Sequence, residues 1–216
     1  MFPDQYWKRN NEAEAFIQGI KLHNYKFNAI EYIIHEMKKV VSLDIGCGPR
    51  GLGSSANIDI AYPPNIPDNF QIMDAHELHF PNNTFEAISI LEVIEHVENP
   101  SQVLREIYRV LKKDGALYLT TPNPHHISVI LKYLRNKRVR IHCDHLHTWG
   151  WEMLAWLIHN AGFQEVEVYL WGFVDEMIRE GKPVKLYRSY RIANFLYALG
   201  FRNPMLHLNI CVIARK

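Results

Sequence analysis

The chain has almost no net charge. Its 24 Lys and Arg against 23 Asp and Glu leave +1, so no overall field draws it to nucleic acid or an anionic membrane, and only local basic patches remain for that purpose. It has no long apolar run, so no transmembrane helix is expected. The opening residues, MFPDQYWKRNNEAEAF, lack the apolar core that a signal peptide needs. Cysteine is scarce and odd in number: Cys47, Cys143 and Cys211 do not make an even disulfide set, and a reduced, cytoplasmic setting is expected. There is no internal repeat and no low-complexity tract.

What is present is ordinary for a soluble globular protein: 48% apolar and 22% charged residues in a chain of 216. That length suits a single α/β domain, residues 1–216, with a sizeable core and small appendages. Apolar positions at helical spacing (Phe16, Ile17 and Ile20, then Ile30, Ile33, Ile34 and Met37) predict N-terminal helices within residues 1–38, separated near Asn24. Short apolar runs predict seven strands, at residues 40–45, 58–60, 70–74, 87–91, 116–120, 166–170 and 207–214. Residues 101–113 predict an amphipathic helix with Val103, Leu104, Ile107, Val110 and Leu111 as its buried stripe. Lys112 and Lys113 suit the negative end of its dipole, and Gly115 follows the stop. Another helix is expected over residues 149–161, stopped by Gly162. Strands alternating with helices define the expected fold class: α/β, a doubly wound, mostly parallel sheet with helices on both faces. Such sheets bind ligands at the carboxyl ends of their strands.

At the end of the first strand stands DIGCGPRGLGSSANIDI, residues 44–60. Gly46-x-Gly48-x-x-Gly51 has the spacing of a dinucleotide loop, whose glycines let backbone amides approach a ligand. A dinucleotide would place an anionic pyrophosphate there, on a helix N-terminus. Asp44 would repel it. The stretch from Gly48 to Asp59 is also too short for a full helix, so the loop at residues 49–56 must replace it. Both features disfavour a nicotinamide dinucleotide and favour a cation without phosphate. S-adenosylmethionine, with its sulfonium and ammonium, is such a ligand. Asp59 ends the second strand, where a carboxylate can accept from ribose hydroxyls. Asp74 ends the third, where it can accept from the adenine amino group, and Glu92 follows the fourth, near the methionine part.

Seven strings occur in order. They are Asp44-Ile-Gly-Cys-Gly48, Asn57-Ile-Asp-Ile60, Asp74-Ala-His-Glu-Leu-His-Phe-Pro81, Asn83-Thr-Phe-Glu86, Leu91-Glu-Val-Ile-Glu-His-Val97, Glu106-Ile-Tyr-Arg-Val-Leu-Lys-Lys-Asp-Gly-Ala116 and Thr121-Pro-Asn-Pro124. Together they resemble the class I S-adenosylmethionine-dependent methyltransferases, of the type 11/23 kind. The resemblance implies a Rossmann-like sheet of seven strands with the last antiparallel. It implies S-adenosyl-L-methionine as cofactor, held by Asp44, Gly46, Cys47, Gly48, Asp59, Ile60, Asp74, Ala75, Leu91 and Glu92.

Methyl transfer is an in-line displacement at a carbon already activated by the sulfonium, so the protein chiefly aligns the acceptor and excludes water. A hydroxyl acceptor gains from a general base. His96, just past the fourth strand, is the candidate catalytic residue; the plainer reading is that it packs structurally. Glu92-x-x-Glu95-His96, with His142, His145 or His147 further on, also resembles the metal-binding string of small-RNA 3′-terminal 2′-O-methyltransferases, and a string in ubiquinone-pathway O-methyltransferases. Two carboxylates and one or two imidazoles suit a divalent ion such as Mg, Mn or Zn, which would polarise vicinal hydroxyls. The plainer expectation has no metal, with Glu92 on the cofactor and Glu95 facing solvent.

Two basic stretches bear on the acceptor. Residues 125–147 carry Lys132, Arg135, Lys137, Arg138 and Arg140. Residues 172–205 interrupt the strand rhythm and are expected to form a substrate lid, with Lys185, Arg188 and Arg191 interleaved with Tyr187 and Tyr190. Ile192, Phe195, Leu196 and Leu199 follow at helical spacing, which suits peripheral membrane contact as well as packing. The plainer reading is a solvated face. The expected activity is O-methylation of a small-molecule, glycan or lipid-linked acceptor; nucleic acid is not expected. The alternatives are a metal-dependent RNA 3′-terminal 2′-O-methyltransferase and a non-catalytic cofactor-binding partner subunit.

Overall fold

Side-chain alternation along the central strands builds two cores from one sheet. The computed structural model describes residues 4–20, 22–24, 29–49, 51–134, 144–171 and 209–216. The order is α1 (Asp4–Gly19), β1 (Leu22–Asn24), α2 (Ala29–Met37), β2 (Ser42–Ile45), β3 (Ala56–Asp59), β4 (Phe70–Ile72), β5 (Phe85–Leu91), α3 (Pro100–Val110), β6 (Leu111–Pro122), α4 (Ile127–Leu134), α5 (Trp151–Asn160), β7 (Glu165–Trp171) and β8 (Asn209–Arg215). Leu117 and Leu119 of β6, Ile88 and Ile90 of β5, and Ile210 and Val212 of β8 face one core, which also buries Leu104 and Ile107 of α3 and Leu154 and Ile158 of α5. Their neighbours Ala116, Tyr118, Ala87, Cys211 and Ile213 face the other, covered by Ala29, Ile33 and Met37 of α2. This period of two, buried on both sides, is what a helix-covered sheet requires.

The strand order is β1-β7-β8-β6-β5-β2-β3-β4. All pairings are parallel except those of β8, which runs antiparallel between β6 and β7. The seven expected strands are present as β2 to β8. An eighth, β1, joins them where the sequence predicted only a break between helices; Leu22, His23 and Asn24 pair with Val168, Tyr169 and Leu170.

The helix expected over residues 101–113 ends at Val110. Asn99 caps its start by accepting from the Gln102 amide at 3.2 Å, and Pro100 occupies the first turn. Leu111 is already extended and pairs with Phe85 of β5. Burying Leu111 in the sheet outweighs one more helical turn. Lys112 therefore bonds Glu86 at 2.8 Å rather than the helix end, and the left-handed turn residue is Asp114, at φ 62°, rather than Gly115. Residues 172–205 lie outside the described residues, as do His142 and Cys143. Among the described residues, no helix is long and apolar enough to cross a membrane.

Candidate active site

The carboxyl ends of β2, β3 and β4 and the turn after β5 enclose a cleft of about 390 Å³. Six residues expected in the site line it: Gly46, Asp59, Ile60, Asp74, Ala75 and His96. The cleft's other walls include Met73, His76, Val93, Val97, Glu98 and Leu146, none of which the sequence singled out. Asp44, Cys47, Gly48, Leu91 and Glu92 are not among the lining residues. They flank it along the same strand ends.

The glycine loop is shaped by its residues' left-handed backbone. Gly46, Gly48 and Gly51 have φ of 67°, 56° and 54°. At Gly46 there is also no room: a Cβ would collide with Val93 Cγ2. The Gly46 and Cys47 amides donate to the Ile58 carbonyl at 2.8 and 3.1 Å, and the Gly48 amide donates to Asp59 Oδ2 at 3.1 Å. The Ile60 amide donates to Asp59 Oδ1 at 2.8 Å. The loop is thus laced to β3, with the Asp59 carboxylate fixed at its mouth. As expected from its length, the connection from β2 to β3 contains no helix among its described residues.

Uncompensated negative charge marks the site. Asp44 is 3% exposed, and its Oδ1 accepts from Ser89 Oγ at 2.6 Å. Burial pushes its carboxyl up to about 6, against the Ser89 hydrogen bond and with a smaller push from Asp59. Glu92 follows β5 in a left-handed conformation, φ 56°, and the residue keeps an open face to solvent. The protein crowding its carboxyl removes enough water to push it up to about 7, with nearby Glu95 adding to the rise. Burial, then Asp44 and Asp59, push the Cys47 thiol up to about 11, so it is a neutral wall. No ion pair among the described residues includes Asp44, Glu92 or Glu95. Carboxylates held this way favour a cationic ligand.

His96 sits on the turn after β5, its amide donating to the Val93 carbonyl at 2.9 Å. Its Nδ1 lies 3.1 Å from the Asp144 carbonyl and 3.5 Å from Asp144 Oδ2, and its ring meets His145 edge-on at 4.6 Å. Glu95 does not face solvent as expected; it is 1% exposed. Its Oε2 accepts from Thr121 Oγ1 at 3.1 Å, its carbonyl accepts from the Leu146 and His147 amides, and its Oε1 is buried with no hydrogen-bond partner among the described residues. The reason is the return of residues 144–147 over the turn, which spacing alone could not show. One ligand atom each from Glu95, His96 and His145 lies within 4.8 Å of the others. Glu92 and His147, considered from the sequence as further donors, are not in that group.

An open, mostly parallel sheet with a glycine loop after its first central strand and acids at the next two strand ends is a doubly wound α/β domain of the kind that takes its ligand at the carboxyl ends of the strands. Its antiparallel strand beside β6 and its short, helix-free glycine loop set it apart from dinucleotide enzymes. Residues 36–168 match the family Methyltransf_23, described as a methyltransferase domain. The chain belongs to this family and carries an S-adenosylmethionine-dependent methyltransferase domain. It is 37% identical over 79 residues to a ubiquinone/menaquinone biosynthesis C-methyltransferase of Hahella chejuensis, covering 37% of this chain and 31% of that one. It is 28% identical over 144 residues to a ubiquinone biosynthesis O-methyltransferase of Pseudomonas putida, covering 55% of this chain and 58% of that one. The matches thus span less than two thirds of these relatives' length. The fold is similar to a Thermotoga maritima methyltransferase described as a possible histamine N-methyltransferase (TM-score 0.57, 13% identity, 98% of this chain and 97% of that one).

Proposed function

We propose that this protein transfers a methyl group from S-adenosylmethionine to a hydroxyl of a small-molecule, glycan or lipid-linked acceptor. The observation that carries the reading is the acid-rich cleft at the strand ends. In this reading Asp44 and Glu92 take the ammonium of the methionine part, Asp59 takes the ribose hydroxyls and Asp74 the adenine amino group. Gly46, Cys47, Gly48, Ile60, Ala75 and Leu91 supply backbone and walls. His96, in the cleft wall, takes the acceptor proton as the displacement proceeds. Of the two curated relatives, the ubiquinone biosynthesis O-methyltransferase supports an oxygen acceptor, whereas the C-methyltransferase makes a carbon acceptor the rival outcome of the screen. A reduced, cytoplasmic setting belongs to the same reading and is supported by Cys47 and Cys211, both free thiols.

The test is calorimetric binding of S-adenosylhomocysteine, with NADH as control, followed by acceptor screening. Wild type binds the homocysteine product and not NADH, and Asp59→Ala weakens binding more than roughly tenfold, about 1.4 kcal/mol. Binding of NADH alone would overturn the assignment. Binding without turnover on any acceptor would favour a cofactor-binding partner subunit.

The Glu95, His96 and His145 group favours a second reading, in which a divalent cation assists an acceptor bearing vicinal hydroxyls, such as an RNA 3′ terminus. The donors fit a metal in kind: Glu95 Oε1 is buried without a partner among the described residues, and two imidazoles stand beside it. When bound there the ion would polarise the acceptor hydroxyls. Equal activity after chelation and after metal replenishment, with no Mn(II) binding in a direct titration, would sink this reading.

A further inference from the structure

His76 lines the cleft two residues after Asp74. Asp74 Oδ1 accepts twice from it: from the His76 amide at 2.8 Å and from the ring Nδ1 at 2.7 Å. The other ring nitrogen settles the tautomer. His76 Nε2 accepts from the Asn99 amide at 3.1 Å, and an amide can only donate, so the ring proton is on Nδ1, directed at Asp74. The His76 carbonyl accepts from Gln102 Nε2 at 2.9 Å, and Asn99 caps α3 through the Gln102 amide. One oxygen of Asp74 is therefore fastened, through His76, to the N-terminus of α3. Its Oδ2 makes no hydrogen bond with any described residue. The same two donors hold the Asp74 carboxyl below the usual carboxylate range, the His76 amide contributing most.

We infer that His76 is a positioning residue that aims the free oxygen of Asp74 at the exocyclic amine of the cofactor's purine, and thereby selects a 6-amino over a 6-oxo base. A carboxylate oxygen only accepts. A 6-amino purine offers it a donor, whereas a 6-oxo purine sets a carbonyl against it. Fastening Oδ1 removes the rotation by which Asp74, with its side chain half exposed at 54%, would otherwise turn to water. The inference rests on Asp74 being the adenine acceptor.

The experiment compares affinities for S-adenosylhomocysteine and its 6-oxo analogue, S-inosylhomocysteine, across four variants. Asn at position 76 keeps a donor near the place of Nδ1 but loses the reach to Asn99; Gln keeps an acceptor near the place of Nε2 but loses the donor to Asp74. Wild type prefers the 6-amino ligand by roughly tenfold or more. His76→Asn keeps most of that ratio, whereas His76→Gln and His76→Ala lose about fivefold of it by weakening the 6-amino ligand. A ratio unchanged in His76→Gln, or lost as fully in His76→Asn as in His76→Ala, overturns the role of His76. If Asp74→Ala leaves S-adenosylhomocysteine affinity unchanged, the adenine assignment itself fails. Imidazole ¹⁵N shifts of the wild type give a check that needs no variant: a proton on Nε2 of His76 contradicts the arrangement.

Discussion

Gly46 is confined twice over, by a φ of 67° and by the Val93 side chain that fills the place of a Cβ. Gly48 has a φ of 56° but open space around it. The two substitutions should therefore differ. Gly48→Ala pays only the left-handed penalty, about 1–2 kcal/mol, whereas Gly46→Ala adds a clash and should cost at least about 1 kcal/mol more. Urea unfolding separates them, and Val93→Ala should recover part of the loss at Gly46 and none at Gly48. Asp44 gives a pH prediction at the same scale. Its carboxyl is raised to about 6 and that of Glu92 to about 7, so both bind a proton more readily when folded. A raised acid costs stability above its unfolded pKa, so the ligand-free protein should lose stability as pH rises from about 4 toward 7. A cationic ligand favours the ionised forms, so product affinity should rise over pH 5.5 to 8 while bare stability falls. Asp44→Asn should flatten part of both trends, raising the melting temperature and weakening binding. Parallel trends in the two measurements would contradict the sign. The acids at the strand ends were legible because strand ends are legible. Glu95 and His76 were not: the burial of one comes from the return of residues 144–147, about 50 residues on, and the tautomer of the other from Asn99, 23 residues on.

At the scale of elements, α3 organises one wall of the cleft. Arg109 donates to the carbonyls of Leu78 and Phe80 at 2.6 and 2.8 Å, to Asn82 Oδ1 at 2.8 Å, and to both oxygens of Glu106. Glu106 Oε2 in turn accepts from the Leu78 amide at 2.9 Å. The Glu106-x-x-Arg109 pair is thus a clamp on the chain that follows Asp74. Arg109→Ala leaves two loop carbonyls and Glu106 Oε1 without the donor they have, while Glu106 Oε2 keeps the Leu78 amide, and it should cost about 2 kcal/mol, reduced from the buried case because the side chain is 32% exposed. Asn99→Ala should cost about 1 kcal/mol as a lost cap. Denaturant midpoints check both. The stripe of α3 was readable from the spacing of Val103, Leu104, Ile107 and Val110, all fully buried. Its end was not, because Leu111 satisfies both a helical stripe and a strand, and only its pairing with Phe85 decides. For the same reason β1 escaped notice: three residues carry too little pattern, and their partner strand lies about 145 residues on.

For the molecule as a whole, the position of β8 between β6 and β7 governs how the sheet holds together. It is hydrogen-bonded to β6 over Ala116 to Pro122 and to β7 over Glu165 to Trp171, and β1 reaches the sheet only through β7. Placing an aspartate at Val212, fully buried in the centre of β8, should therefore release more than one strand. Hydrogen exchange should show β1 and β7 losing protection together with β8, while β2 to β5 lose less; uniform loss would mean that the sheet has no such seam. The order in which a ribosome delivers these strands adds a matter of timing. β7 is complete at Trp171, but β8 begins only at Asn209. At about 5–20 residues per second, roughly 2–8 s pass before the last strand can be made. Through that interval β6 and β7 each lack the strand that pairs with them, open edges of the kind chaperones cover. Slower translation across the codons for residues 172–208 should lengthen that exposure, and the yield of soluble protein should fall with it.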